Sequence, residues 1–147
     1  MTDADLLILA DHLHTEEGLR LRPYRDTVGK LTIGWGRNLT DNGISIDEAT
    51  LLLRNDIARH VAELVRRQPF VLTLNHVRQI VLADMMFNLG GDGLMGFTAM
   101  WGQLRAHDYA GAARDMLNSK WAHQVGVRAQ RLAAAMASGT FPKDTPA

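Results

Sequence analysis

The stretch from Ser45 to Pro69 constrains this chain more than any other. Ser45-Ile46-Asp47-Glu48 has the S-x-x-E form of a capping box, in which the two side chains satisfy exposed backbone N–H groups at a helix start. Leu51, Leu52, Leu53 and Ile57 follow at helical spacing. Pro69 cannot continue a helix, so the pattern predicts one long helix over about 46–67. The sequence differs in kind on its two sides, so this helix is expected to tie two lobes together.

On the N-terminal side, Asp3 can cap a first helix carrying Leu6, Leu9 and Leu13, ending near Gly18. Residues 22–46 are rich in glycine (29, 34, 36, 43), Thr, Tyr and Trp. Turn signals at Val28-Gly29-Lys30 and Asp41-Asn42-Gly43 predict a small antiparallel hairpin or three-stranded sheet. On the C-terminal side, Thr73 opens an apolar helix, Leu74 to Leu89, closed by Gly90-Gly91. Its Val77, Ile80, Val81, Met85, Met86 and Phe87 are expected at the centre of the larger core. Shorter helices are expected around 95–106, 109–120 and 127–138, the last ended by Gly139. The fold class is therefore a mainly helical α+β domain spanning 1–147. It has a small β-hairpin lobe at about 15–55 and a helical lobe at about 65–142 that includes the N-terminal helix.

Composition excludes several function classes. Hydrophobic residues make up 46% of the chain and charged residues 22%, which supplies a packed interior. With no cysteine, the fold uses neither disulfides nor thiolate metal ligands. The run Leu6 to Ala10 is far shorter than the roughly 20 apolar residues of a membrane span. It follows Asp3 and Asp5, so it does not read as a secretory signal. Sixteen basic side chains balance sixteen acidic ones, which argues against a dedicated nucleic-acid binder. Residues 1–60 hold seven basic and ten acidic groups, and residues 61–147 nine and six, so the second half is better placed to meet an anionic polymer. Among six histidines only His12-x-His14 is closely spaced, and two positions apart on a helix face different ways. No metal and no cofactor are expected.

The chemistry concentrates between Glu17 and Gly36. Glu17 ends a helix, while Asp26 and Thr32 lie on opposite arms of the predicted hairpin. Glycosidic cleavage needs two carboxyl groups flanking the bond, one to protonate the leaving oxygen and one to activate water or attack the anomeric carbon. Glu17 beside an apolar helix face suits the acid, and Asp26 on a polar hairpin suits the base. A hydroxyl opposite Asp26 can hold a water in line, which favours inversion. On residue types alone, two solvated surface carboxylates fit the same spacing.

The spacing Glu, eight residues, Asp, five residues, Thr resembles the signature of the T4-type phage lysozymes. Glu17, Asp26 and Thr32 meet it inside the contexts E-G-L-R-L, Y-R-D-T and T-I-G-W-G. The similarity continues through Phe87-Asn88-Leu89-Gly90, Gly93, Gly96-Phe97-Thr98, Trp121 and Arg128-Ala129-Gln130-Arg131, covering roughly residues 6 to 141. The resemblance implies a two-lobed lysozyme fold and a muramidase that cleaves the β-1,4 bond between N-acetylmuramic acid and N-acetylglucosamine with inversion. It implies Glu17 as general acid, Asp26 and Thr32 as positioners of the water, and Arg128 as a partner of Glu17. Phe87 falls where the family lines its cleft, and Gly36 where backbone approaches the sugar. Asn38, Met100 and Asp115 occupy positions that offer small polar groups to the sugar, so the subsites depart from the family pattern. Trp35 is a further candidate for sugar stacking, while Trp101 and Trp121 suit packing.

The resemblance also implies peptidoglycan as the partner, a monomer, and a phage or prophage endolysin. Such a protein is made in the host cytoplasm and reaches the wall in the periplasm through a holin. Three rivals stand beside it: a virion-borne lysozyme used at entry, an idle wall-binding module on the same scaffold, and a transglycosylase that uses Glu17 alone.

Overall fold

The chain opens with α1 (Asp3–Glu17), whose N-cap is Thr2 and not the expected Asp3. Thr2 Oγ1 accepts the Asp5 N–H at 3.3 Å, and the Thr2 N–H donates to Asp5 Oδ2 at 2.6 Å. The reciprocal pair Thr2/Asp5 satisfies two otherwise orphan donors, and Asp3 alone offers one. Gly18, at φ 66°, ends the helix where the sequence predicts. No residue of α1 is buried, including the regularly spaced Leu6, Leu9 and Leu13.

This computed structural model describes residues 1–142. By their contacts these residues fall into two units, Met1–Leu51 and a second from Leu52 onward. α1 groups with the first unit, whereas the sequence reading assigned it to the helical lobe. In the first unit, β1 (Arg20–Arg25), β2 (Leu31–Gly34) and β3 (Arg37–Asn38) form an antiparallel sheet in the order β1-β2-β3. The expected turn at Asp41-Asn42-Gly43 is a single helical turn, α2 (Leu39–Asn42), capped by Asn38. The unit closes on the first turn of α3 (Ile46–Arg67). Ser45 and Glu48 form the expected box, with the Glu48 N–H on Ser45 Oγ at 3.2 Å and the Ser45 N–H on Glu48 Oε2 at 2.7 Å. Arg37 on β3 forks onto Glu48 at 2.9 and 2.6 Å, fastening the sheet to that cap.

In the second unit, Pro69–Thr73 forms a 3-10 turn, closed by the Thr73 hydroxyl donating to the Phe70 carbonyl. Helix α4 (His76–Met95) therefore starts later than expected. Asn75 caps it, with its Oδ1 accepting the Arg78 N–H at 3.0 Å. Gly90, at φ 73° and ψ 171°, breaks α4 where Gly90-Gly91 was expected to end it, and the helix resumes to Met95. Then follow α5 (Thr98–Arg105), α6 (Tyr109–Leu117), α7 (Lys120–Val125) and α8 (Val127–Ser138). The expected helix over 109–120 stops at Leu117 because Ser119 starts α7, its hydroxyl donating to Met116 O and accepting from the Ala122 N–H.

The core of this unit gathers Val81, Leu82, Met85, Met86, Leu94, Met100, Leu104, Met116 and Met136. Burying each large apolar side chain contributes about 1.5–3 kcal/mol. Trp101 and Trp121 are packing residues, as expected. Each indole N–H is satisfied, on Leu94 O at 3.1 Å and on Asn88 Oδ1 at 2.7 Å. Ile80 and Phe87, expected in this core, instead reach the surface. Arg78 clamps the end of α8, donating to Met136 O at 2.8 Å and Ala137 O at 3.1 Å, while Asn75 Nδ2 holds Gly139 O at 2.9 Å. These bonds satisfy carbonyls that the end of a helix leaves open. No helix among the described residues is long and apolar enough to cross a membrane.

Candidate active site

The first unit carries the three candidate catalytic residues, Glu17 on α1 and Asp26 and Thr32 on the β1–β2 hairpin, together with Trp35, Gly36 and Asn38. Tyr24 pairs with Thr32 and Arg25 with Leu31. The ladder continues through the Asp26 N–H, which donates to Lys30 O at 2.9 Å. Side chains alternate along a strand, so Asp26, Tyr24, Lys30 and Thr32 share one face of the sheet. Asp26 and Thr32 are diagonal neighbours there, roughly 7–8 Å apart in ordinary sheet geometry.

The β1–β2 turn shapes the Asp26 carboxylate. Its Oδ1 accepts the Val28 N–H at 3.0 Å and the Lys30 N–H at 2.8 Å, and Gly29 takes φ 83° to close the loop. Among the described residues, Oδ2 has no hydrogen-bond partner, so one oxygen is pinned and the other is available to a ligand. An Asp just before a glycine turn is the sequence signal for such a clasp, and residue types alone did not reveal it. Thr32 is 4% exposed, and its hydroxyl donates to Lys30 O at 3.2 Å, which leaves its lone pairs to accept from a water.

Glu17 stands at the last residue of α1, exposed, over the turn that joins β2 to β3. Gly36 in that turn has φ 80°, and a Cβ placed on it would lie 3.2 Å from Glu17 Oε2. Trp35, 48% exposed, stacks on His14 of α1 with ring centroids 4.2 Å apart. Asn38 is half-buried, and both ends of its amide are engaged by Asp41: Oδ1 accepts the Asp41 N–H at 3.0 Å and Nδ2 donates to Asp41 Oδ2 at 2.8 Å.

The second unit holds the remaining candidates. Phe87, 41% exposed, lies beside His60 with ring centroids 5.2 Å apart. Both line an apolar cavity of about 450 Å³ with Leu53, Ile57, Ile80 and Arg128. Arg128 is held by Asp84, Nε at 3.0 Å and Nη2 at 2.8 Å from Oδ1. Asp115 on α6 is half-buried, with one carboxylate oxygen buried and unpartnered among the described residues.

Residues 14–136 match the sequence pattern of the family described as phage lysozyme. The chain belongs to the phage lysozyme family. It is 30% identical to the pre-baseplate central spike protein Gp5 of Enterobacteria phage T4, over 90% of this chain but only 28% of that longer protein. It is 24% identical to the probable T4-type lysozyme 1 of Dictyostelium discoideum, over 90% of this chain and 95% of that protein. An endolysin of Acyrthosiphon pisum secondary endosymbiont phage 1 is 33% identical over 71% of this chain and 70% of its own length.

Membership makes the chain a lysozyme-type hydrolase, and its mainly helical α+β architecture agrees with that family. One expected sugar contact is corrected by the structure. Met100 is fully buried in the core of the second unit, so its side chain has no surface to offer a sugar. The polar residue expected at that position is replaced by a packing residue, and methionine fills an irregular core gap well.

Proposed function

We propose that this phage lysozyme is an inverting muramidase acting on the β-1,4 bond between N-acetylmuramic acid and N-acetylglucosamine of peptidoglycan. The supporting observation is the shared sheet face of Asp26 and Thr32, with Asp26 Oδ1 pinned by two N–H groups and Oδ2 unpartnered among the described residues. In this reading Glu17 gives its proton to the glycosidic oxygen as the C–O bond breaks. A water held by the Thr32 hydroxyl attacks the anomeric carbon from the opposite face and passes a proton to Asp26. One bond forms as one breaks, and the configuration inverts. The family resemblance assigns Arg128 the role of supporting the acid, and Gly36, Trp35, Asn38, Phe87 and Asp115 the role of sugar contacts.

Glu17→Gln is expected to abolish lysis of cell walls while leaving the circular dichroism spectrum and Tm unchanged. Retained lysis would remove Glu17 from its role. Proton NMR of the first product formed is expected to show the α-anomer, and initial β-anomer would contradict inversion.

The biological setting proposed is host lysis by an endolysin that acts as a monomer. It is made in the cytoplasm and released to the periplasmic face of the wall by a holin. Expression without a holin should leave cells intact until chloroform opens the inner membrane. The similarity to the T4 spike protein supports a second setting, a lysozyme carried in the virion. Mass spectrometry of purified particles separates the two, because an endolysin is absent from them.

A further inference from the structure

The stack of His14 on Trp35 lies one helical turn from Glu17, and His14 has no part in the chemistry above. His14 and Glu17 are three residues apart on α1 and so share one helix face. That face meets two successive residues of the β2–β3 turn, His14 on Trp35 and Glu17 on Gly36. Gly34 and Gly36 flank Trp35 at φ 69° and 80°, so the backbone reverses tightly around it and only the indole projects. The ring centroids are 4.2 Å apart with 30° between the planes, a stacked contact. No residue of α1 is buried, so core packing does not fix the end of this helix.

We infer that His14 is a positioning residue for Glu17: its stack on Trp35 ties the end of α1 to the β2–β3 turn and sets where the Glu17 carboxyl sits above Gly36. A single contact, carboxyl over glycine, leaves the helix end free to pivot. A second contact one turn earlier removes that freedom. Holding an acid against its bond is a rate effect, because a displacement of about 1 Å at the reacting groups lowers the rate about 100-fold. The stacking face is what matters, so any flat ring at position 14 serves. This inference rests on Glu17 being the acid.

The test compares His14→Ser, His14→Phe and the control His12→Ser on solubilised peptidoglycan strands. His14→Ser is expected to lower kcat about tenfold or more with KM within about twofold, because position and not sugar binding is lost. His14→Phe is expected to restore most of kcat, and His12→Ser to leave it unchanged. Trp35 emission, read with Trp101 and Trp121 replaced by Phe, is expected to shift in His14→Ser and to recover in His14→Phe. Wild-type kcat in His14→Ser overturns the inference, as does a His14→Phe enzyme as slow as His14→Ser. If Glu17→Gln is inactive while His14→Ser runs at full rate, the tether alone is wrong. If Glu17→Gln itself lyses walls, the acid assignment is what fails.

Discussion

Arg128 meets Asp84 through two nitrogens but on one oxygen, Nε at 3.0 Å and Nη2 at 2.8 Å from Oδ1. The pair joins α8 to α4 inside the second unit, 44 residues apart in sequence. It lacks the second parallel bond of a full guanidinium–carboxylate fork. The side chains are 44% and 31% exposed, so solvent screens the attraction. A double-mutant cycle on Arg128→Met and Asp84→Ala is expected to give a coupling of about 0.5–1 kcal/mol by chemical denaturation. Asp84→Ala should leave lysis near the wild-type rate, whereas Arg128→Met should slow it. Equal slowing by both would reduce Arg128 to a partner of Asp84.

Gly36→Ala brings two penalties together. Its φ of 80° strains any residue with a Cβ, and that Cβ would sit 3.2 Å from Glu17 Oε2. The backbone term is about 1 kcal/mol, measurable as a lowered Tm. The displaced carboxyl should lower kcat more than stability alone explains. An alanine variant with full activity would separate Glu17 from the turn beneath it.

Asp26→Asn and Thr32→Val keep the shape of the sheet face while removing its chemistry. Loss of a positioned base typically lowers rate about 100- to 10,000-fold, and Asp26→Asn is expected in that range on cell walls. Thr32→Val should fall less, because it removes only the group proposed to hold the water. A Thr32→Val enzyme slower than Asp26→Asn would reverse the order of roles.

Met100→Ala tests a packing residue by its stability signature. Removing a fully buried methionine is expected to cost about 2–5 kcal/mol. KM of the folded enzyme should not change at temperatures well below Tm. A raised KM at unchanged Tm would restore Met100 to the sugar.

Glu48 carries a pH signature. Its carboxyl is held down at about 2, first by the hydrogen bonds from Arg37 and then by the Ser45 backbone N–H. The native state therefore binds the proton more weakly than the unfolded chain. This contribution is complete above the ordinary value of 4.5 and fades as pH falls towards 2. Tm of the wild type should exceed that of Glu48→Gln at pH 6, and the gap should close on acidification through that window. A gap that persists at pH 2 would exclude the carboxylate as its source.

What was legible in the sequence was local and periodic. The Ser45/Glu48 box and Pro69 delimited α3 as found, and Gly18 and Gly139 marked the ends of their helices, whereas Gly90 marks a break inside α4 and not its end. Competing caps were not legible. Thr73 and Asn75 are both good capping residues, and the choice fell to Asn75 because the Thr73 hydroxyl closes the preceding turn. Met100 was misplaced for a related reason: resemblance gives a position along the chain, whereas burial depends on what packs across from it. The spacing of Glu17, Asp26 and Thr32 is what singles out the proposed site, but the clasp on Asp26 Oδ1 and the His14–Trp35 stack depend on turn geometry that spacing does not carry.

The bonds from Arg78 to Met136 and Ala137 span 58 and 59 residues of sequence. Closing so long a loop costs entropy before any bond forms, so the clamp is expected to close late in folding. Interactions that are absent from the transition state govern how fast a protein comes apart, not how fast it assembles. On that expectation Arg78 acts as a latch on lifetime: losing it should shorten the time the helical unit survives near a protease without slowing the route by which it forms.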